Sequence, residues 1–205
     1  MSFNTRVDLS SNMDAAIVKM LKELGFVIER SGYEGFIGNE TKAELRKIHD
    51  NPTVTFLRYL PDLFVWRGNK FFFLELKVMD SPIKYASRVK HLQEISGLTD
   101  LSSENIGAVE TAAINNYQKL RSIGVEILVI VYCTFNPKLL VAEWENKIVK
   151  FHSDNVRIGE GNASFTPYTN VHVDRMRTIK QLFRDDFNID IADALIESVK
   201  AELKK

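Results

Sequence analysis

The chain lacks several features that would place it in a familiar class. It has one cysteine in 205 residues, Cys133, which excludes an intramolecular disulfide and a zinc site built from cysteines. Its longest apolar stretch, Val125 to Cys133, is interrupted by Glu126 and is far shorter than the roughly 20 residues that cross a bilayer. The N-terminal residues contain no apolar signal core. We therefore expect a cytoplasmic protein without a membrane-spanning helix.

An excess of charge of either sign is also absent. The 27 Lys and Arg residues equal the 27 Asp and Glu residues, so the overall field gives no strong attraction for a polyanion. Binding of a nucleic acid would have to come from a local basic patch. No glycine-rich phosphate-binding loop occurs, and none of the four histidines has a second ligand at metal-binding spacing. A mechanism based on histidine is therefore not indicated.

The spacing of apolar residues predicts an α/β fold with a central mixed sheet flanked by helices. Helices are predicted at Ser11–Gly25, Tyr85–Ile95, Glu104–Ile123, Asp174–Arg184 and Asp190–Leu203. Strands are predicted at Phe26–Arg30, Asp62–Arg67, Lys70–Val78 and Val125–Cys133, with a further hairpin from Leu139–Trp144 and Lys147–Phe151. Residues 159–170 are rich in Gly, Ser, Asn and Thr and are expected to form a loop. We expect a core domain over 1–158 and a helical C-terminal extension over 159–205, packed on the same domain.

The most informative segment is the predicted hairpin from Asp62 to Val78. Gly68 and Asn69 tolerate positive φ and suit a two-residue turn. With that turn, antiparallel pairing places Asp62 directly opposite Glu75. Two carboxylates at that separation destabilise a sheet unless a positive group lies between them. A divalent cation is the simplest such group.

Lys77 completes the polar group on this strand. Glu75 and Lys77 are two residues apart, so both point to one face, while Leu74, Leu76 and Val78 point to the other. Carboxylate oxygens suit Mg²⁺ or Mn²⁺, which lowers the pKa of bound water and neutralises charge on a phosphate. Lys77 would orient or help deprotonate the attacking water, or stabilise the transition state. The main-chain carbonyl of Leu76 could complete the coordination of the metal.

The pattern of Pro61-Asp62, twelve intervening residues and Glu75-Leu76-Lys77 resembles the PD-(D/E)xK nuclease superfamily. That superfamily includes restriction endonucleases and archaeal Holliday-junction resolvases. Such a spaced pattern occurs by chance in many proteins, so it is weak evidence by itself. Its position on a predicted hairpin makes the evidence stronger. The competing interpretation is that Glu75 and Lys77 form an ordinary ion pair on a solvated face.

The resemblance covers roughly residues 13–133, where the order helix, hairpin, helix and strand is similar to the family core. It implies a restriction-endonuclease-like core and Mg²⁺-dependent cleavage of DNA. Asp62 and Glu75 would be the metal ligands and Lys77 the catalytic lysine. The family often adds a Glu on the first helix, and Asp14 would be its counterpart here as a further catalytic residue. Alternatively, Asp14 complements the positive end of that helix.

Two further groups of residues have open interpretations. Lys84, Arg88 and His91 lie at i, i+4 and i+7, so a helix would align them as a ridge that contacts DNA phosphates. A solvated basic face is the alternative. Glu110 interrupts an apolar face and is compatible with a position near the metal or at the edge of the core, and the pattern favours the edge.

We therefore predict a Mg²⁺-dependent DNA endonuclease, which is a phosphodiester hydrolase. A homodimer agrees with this function, because cutting two strands needs two sites. An apolar stripe could pack on the domain or on a second subunit, and its members are Ile191, Leu195, Val199 and Leu203. One rival hypothesis is a catalytically inactive nucleic-acid-binding or assembly module that retains the nuclease fold. Another is a metal-dependent enzyme that acts on nucleotides or small phosphoesters.

Overall fold

The computed structural model describes residues 3–31, 38–48, 51–80, 82–136, 139–157 and 165–203. Its helices are α1 (Phe3–Glu23), α2 (Asn39–Arg46), α3 (Pro52–Arg58), α4 (Ala86–Ser96), α5 (Thr111–Ser122), α6 (Ile179–Phe187) and α7 (Asp193–Leu203). Its strands are β1 (Val27–Arg30), β2 (Leu63–Arg67), β3 (Lys70–Met79), β4 (Ile106–Glu110), β5 (Ile127–Cys133), β6 (Leu140–Trp144), β7 (Lys150–Arg157), β8 (Phe165–His172) and β9 (Arg177–Thr178). Short 3₁₀ turns occupy Glu145–Lys147 and Val173–Arg175. A search of the described helices finds none with the length and apolar character needed to cross a membrane.

A mixed sheet forms the centre of the fold, with the strand order β1-β2-β3-β5-β6-β9. β1, β2 and β3 are antiparallel neighbours, β3 and β5 are parallel, and β6 is antiparallel to both β5 and β9. The parallel pair requires a long crossover, which α4, β4 and α5 supply. The predicted class, an α/β fold with a central mixed sheet flanked by helices, is confirmed. The predicted order of helix, hairpin, helix and strand is also confirmed.

The two faces of β3 belong to different cores because successive side chains alternate across a strand. Leu74, Leu76 and Val78 face the core that contains α1, α6 and α7. Phe73 and Met79 face a second core, built with α5 and the smaller sheet. The apolar stripe begins at Ile191, continues along α7 and lies in the first core. α7 packs against α1. The stripe therefore packs on this domain.

A second sheet, with the order β4-β8-β7, was not predicted. The helix expected over Glu104–Ile123 is wrong in its first part, where β4 precedes α5. The loop expected over 159–170 is wrong from Phe165 onward, where β8 begins, and its earlier part lies outside the described residues. β4 and β8 pair with each other although they are distant in the chain. Neither strand could therefore be recognised from its neighbouring residues alone. Gly107 allows this sheet to approach β3, because a Cβ there would overlap Sδ of Met79.

Three other predicted boundaries differ from the structure. β6 and β7 do not form the predicted hairpin, because β6 pairs in the central sheet and β7 in the second one. The helix expected from Asp174 begins only at Ile179, where Thr178 and Gln181 form a reciprocal capping box. The first helix begins at Phe3 instead of Ser11. The first of these differences reflects strand partners that are distant in sequence, and the second reflects a helix cap that the apolar spacing did not indicate.

A buried ion network joins β6, β9 and α6. Arg177 donates to Glu143 at 2.7 and 3.0 Å and to Asp186 at 2.8 and 3.1 Å. Trp144 also donates from its indole nitrogen to Asp186. Hydrogen bonds from Arg177 hold the pKa of Asp186 below its usual value. Glu143 is only 5% exposed, so the loss of Arg177 would leave a buried carboxylate without its cation.

We predict that Arg177→Met lowers the free energy of unfolding by about 3 kcal/mol, because it breaks a buried charge pair. The matched control is Arg184→Met, which removes an arginine that is 65% exposed and pairs with Asp185 at the surface. The control should cost about 1 kcal/mol or less. Urea denaturation of both variants measures the difference. Equal losses would contradict the assigned role of the network.

Candidate active site

The β2–β3 hairpin brings the predicted polar residues together. Its register places Leu63 opposite Leu74, which confirms the predicted two-residue turn. Continued by one residue, this register places Asp62 opposite Glu75. Lys77 follows two residues later on the same face of β3. The hairpin therefore carries all three residues of the predicted motif at one end.

Main-chain contacts fix the position of Asp62. The N–H of Leu76 donates to Oδ2 of Asp62 at 2.8 Å. The N–H of Ser31 donates to the carbonyl oxygen of Asp62 at 3.0 Å, and the Ser31 hydroxyl donates to the carbonyl of Pro61 at 2.7 Å. Asp62 is thus held between the end of β1 and the middle of β3. None of these three contacts neutralises the charge of the Asp62 carboxylate.

Glu75 lies beneath Lys77 and is almost inaccessible. The two side chains form an ion pair, in which Glu75 is 4% exposed and Lys77 is 34% exposed. The hydroxyl of Tyr117, on α5, forms a hydrogen bond with the Glu75 carboxylate. Burial and the charge of Glu75 raise the pKa of Tyr117 well above its usual value, so its hydroxyl keeps its proton. Lys77 is therefore the member of this group that reaches solvent.

The ionisable groups of the site shift one another's pKa values. Burial and the nearby charge of Glu75 raise the pKa of Asp62 to about 8, although Lys77 and the Leu76 N–H act in the opposite direction. Burial lowers the pKa of Lys77, but the charges of Glu75 and Asp62 outweigh it and the pKa is raised. Lys77 is therefore an ammonium ion at neutral pH. With no cation bound, Asp62 therefore keeps its proton at neutral pH, and a divalent cation beside Asp62 and Glu75 would favour its ionised form.

The donor groups suit Mg²⁺ or Mn²⁺. Asp62 and Glu75 offer hard oxygen ligands, and the carbonyl of Leu76 was predicted as a third. Within the described part of the chain, no three Asp, Glu, His or Cys side chains are grouped closely enough to hold a metal ion. Mg²⁺ is commonly bound by one or two carboxylates, with water and substrate phosphates completing its shell. A pair of neighbouring carboxyl groups, of which Asp62 would ionise when the cation binds, therefore fits this ion.

Asp14 lies close enough to act on the site electrostatically. It forms an ion pair with Arg30 at 2.8 Å, and its charge contributes to the raised pKa of Asp62. From the sequence, either a catalytic role or a role at the helix terminus was predicted for Asp14. α1 begins at Phe3, so Asp14 lies in the middle of the helix and the helix-terminus interpretation is wrong. A catalytic role for Asp14 stays a prediction.

Glu110 lies nearer to the site than the sequence indicated. It ends β4 and accepts a hydrogen bond from the hydroxyl of Tyr59 at 2.8 Å. Its charge raises the pKa of Lys77, while burial and this hydrogen bond raise the pKa of Tyr59 to about 12. From the sequence we favoured a position at the edge of the core for Glu110, because β4 was taken for part of a helix.

The predicted basic ridge is present only in part. Tyr85 takes an extended conformation and α4 begins at Ala86, so Lys84 precedes the helix and does not align with Arg88 and His91. His152 of β7 joins the two helical residues instead. Burial and the positive charges of Arg88 and His91 lower the pKa of His152. We define the basic cluster as Arg88, His91 and His152.

Three residues near the site or the basic cluster were not predicted from the sequence to belong there: Tyr117, Tyr59 and His152. Tyr117 was assigned to an apolar helix face, which it does occupy, and its hydroxyl gave no separate signal. Tyr59 follows α3, a helix that was not predicted. His152 lies on a strand whose partner was expected to be a loop. All three contacts join residues that are distant in the chain, so only the tertiary structure reveals them.

The raised pKa of Asp62 predicts a measurable pH dependence of stability in EDTA. The unfolded chain loses the Asp62 proton near pH 3.8, whereas the folded chain keeps it to about pH 8. Ionisation of Asp62 therefore destabilises the wild type progressively over this interval. Asp62→Asn should gain stability relative to the wild type as pH rises, with a plateau above about pH 8. Thermal unfolding across this range measures the effect.

The control for that experiment is Asp193→Asn, which changes a carboxylate whose side chain is 87% exposed. Its melting curves should follow those of the wild type from pH 5 upward, because Asp193 is ionised in both states there. Parallel profiles for the wild type and Asp62→Asn would contradict the assigned electrostatics of the site.

No protein-family model matches this chain, and no curated protein matches it. Among solved structures, it is similar to the Holliday junction resolvase Hjc of the hyperthermophile Archaeoglobus fulgidus. The sequence identity is 9%, the TM-score is 0.42, and the alignment covers 84% of this chain and 93% of that chain. A likeness at this level supports no conclusion about activity, which has to be derived from the residues of this chain.

Proposed function

We propose that the chain is a divalent-metal-dependent nuclease that hydrolyses phosphodiester bonds of DNA, most simply as an endonuclease. The observation that carries this proposal is the cross-strand pair of Asp62 and Glu75 beside the partly exposed Lys77. A buried pair of carboxylates is costly unless a cation or a reaction requires it. The pattern of the three residues resembles that of the PD-(D/E)xK nucleases, for which DNA is the substrate.

Each residue has a distinct part in this function. Asp62, Glu75 and the carbonyl of Leu76 would hold Mg²⁺ or Mn²⁺, which lowers the pKa of bound water and neutralises charge on the phosphate. Lys77 carries its proton at neutral pH, so it donates hydrogen bonds to the attacking water or to a phosphate oxygen. Tyr117 keeps the Glu75 carboxylate in place. Asp14 would contribute further negative charge behind Asp62.

The basic cluster supports binding of the DNA backbone. Arg88 and His91 on α4 and His152 on β7 lie close enough to influence one another electrostatically. Phosphate groups are the anions that DNA presents, and an arginine and two histidines on one surface can contact them. Lys84 lies just before α4 and would add to this surface. A homodimer would place two such sites on the two strands of a duplex.

An inactive nucleic-acid-binding or assembly module is the second candidate. The observation that favours it is the internal pairing of the site, since Lys77 contacts Glu75 and the Leu76 N–H contacts Asp62. In such a module the polar residues would be satisfied by one another. Metal binding separates the two hypotheses, because a binding module has no need for Mn²⁺ at this position.

We expect the wild type to cut DNA from a panel of supercoiled, linear and branched substrates in Mg²⁺ or Mn²⁺ but not in EDTA. Asp62→Ala and Lys77→Met should each lower the rate by about 10²-fold or more, because each removes charge stabilisation. Asp62→Ala should also weaken Mn²⁺ binding, measured by calorimetry or electron paramagnetic resonance. The control is Glu126→Ala, which removes an exposed carboxylate that takes no part in the site. Folded wild type that neither binds Mn²⁺ nor cuts any substrate would favour the inactive module.

The basic cluster makes a separate prediction about duplex DNA. Replacing Arg88, His91 and His152 together by alanine should weaken binding and flatten the dependence of affinity on salt, because fewer counterions are released. Binding should be compared at pH 5 and pH 7, because a histidine with a lowered pKa gains its charge only at the lower pH. The control is Lys119→Ala, an exposed cation on α5. An unchanged salt dependence in the triple variant would reject the cluster as a phosphate-binding surface.

A further inference from the structure

Aromatic side chains continue the hairpin face on which the candidate site lies. Alternate residues of β2 and β3 form cross-strand rows on this face. The first row is Asp62 with Glu75, and the next two rows toward the turn are Phe64 with Phe73 and Trp66 with Phe71. The site and the aromatic rows therefore lie on one face of the same two strands. We define the hairpin aromatic surface as Phe64, Trp66 and Phe71.

The rings of these rows contact one another. Phe64 and Phe73 have ring centroids 4.5 Å apart, and Phe73 in turn lies at the edge of the core. Phe71 lies 5.9 Å from Phe64 and 6.5 Å from Trp66, with interplanar angles of 31° in both pairs. Phe73 is inclined more steeply, at 54° to Phe64 and 84° to Phe71, so planar groups would stack on the other three rings.

This surface becomes more exposed with distance from the core. Phe73 is 8% exposed, whereas Phe71 is 53% exposed. Val27 of β1, which pairs with Trp66, is 47% exposed and extends the apolar area at the sheet edge. Contiguous apolar area on a surface commonly marks a binding site. The exposed fraction of Phe71 has no role in the packing of the fold, which leaves it available to a ligand.

The geometry favours unpaired nucleotide bases as the ligand. Rows that are two residues apart repeat about every 6.6 Å along a strand. Bases in a duplex are stacked about 3.4 Å apart and hide their faces from protein side chains. Unpaired bases can separate and lie on successive aromatic rings, with little preference for sequence. An aromatic surface of this kind therefore selects single-stranded segments.

Continuity with the site favours a nucleic acid over another protein as the occupant. A strand whose bases lie on Phe71 and Phe64 would lead its backbone directly to the row of Asp62 and Glu75. Glu29, which pairs with Phe64 on the edge strand, adds an exposed carboxylate beside the surface. Charge attraction is therefore not the source of binding here, so ring stacking has to supply it.

We infer that the hairpin aromatic surface binds unpaired nucleotides next to the scissile phosphate, so that the substrate is DNA with a single-stranded segment at the cleavage position. This inference rests on the proposed nuclease function and narrows its substrate class. Duplex contacts then belong to the basic cluster, and single-strand contacts belong to the hairpin aromatic surface.

Binding of fluorescein-labelled oligothymidylate and of a duplex of equal length, measured by anisotropy in EDTA, tests this inference without cleavage. The wild type should bind the single strand, and Phe71→Leu should weaken that binding about tenfold, because it keeps apolar volume but loses the stacking ring. Phe71→Tyr, which keeps the ring, should bind like the wild type. Duplex affinity should stay unchanged in both variants. Ile123→Ala, which removes an apolar residue that is 76% exposed elsewhere, is the control.

The outcomes separate this inference from the proposed function. Cleavage of DNA by a wild type whose single-strand affinity is insensitive to Phe71→Leu would overturn the surface but keep the nuclease. Sensitive single-strand binding without cleavage or Mn²⁺ binding would keep the surface as a binding site and reject the nuclease. Sedimentation velocity adds a third arm. A dimer that Phe71→Glu dissociates, with DNA affinity unchanged in Phe71→Leu, would assign the surface to a second copy of the chain and overturn the inference.

Discussion

The register of the β2–β3 hairpin is the constraint on which the candidate site depends. Gly68 takes a φ of 61°, a conformation that glycine adopts without strain at the first position of a tight hairpin turn. Because side chains alternate along a strand, a slip of one residue would turn Glu75 and Lys77 toward α1 and bury them among apolar side chains. One local turn therefore determines which residues form the site and which form the core.

The central position of β3 gives this hairpin two different environments. One face packs against α1, α6 and α7, and the other packs against α5 and the second sheet. The second face passes from aromatic rings near the turn to charged groups at its far end. Burial at that end makes the charges interact strongly, which raises the pKa of Asp62 and keeps Lys77 protonated. The same packing that stabilises the fold thus makes the ionised form of Asp62 unfavourable unless a cation is bound, which suits a divalent-metal site.

Charge is distributed differently elsewhere in the molecule. The network of Arg177 with Glu143 and Asp186 is balanced by several hydrogen bonds and joins β6, β9 and α6. The site of Asp62 and Glu75 also has one cation for two carboxyl groups, but Lys77 pairs with Glu75, whereas Asp62 accepts a hydrogen bond from the main-chain N–H of Leu76. The pKa of Asp186 is therefore lowered and that of Asp62 raised, and a group whose pKa is shifted toward neutral pH is the better candidate for chemistry.

Local sequence patterns determined the hairpin, its register, the first helix and the apolar stripe of α7, because each depends on the alternation or spacing of neighbouring residues. The motif of Asp62, Glu75 and Lys77 could be placed for the same reason. The second sheet could not be predicted, since β4 and β8 stabilise each other across more than fifty residues of chain. Only the tertiary structure brought Tyr117 to Glu75, Glu110 near Lys77 and His152 beside Arg88, because those contacts depend on how separate elements pack.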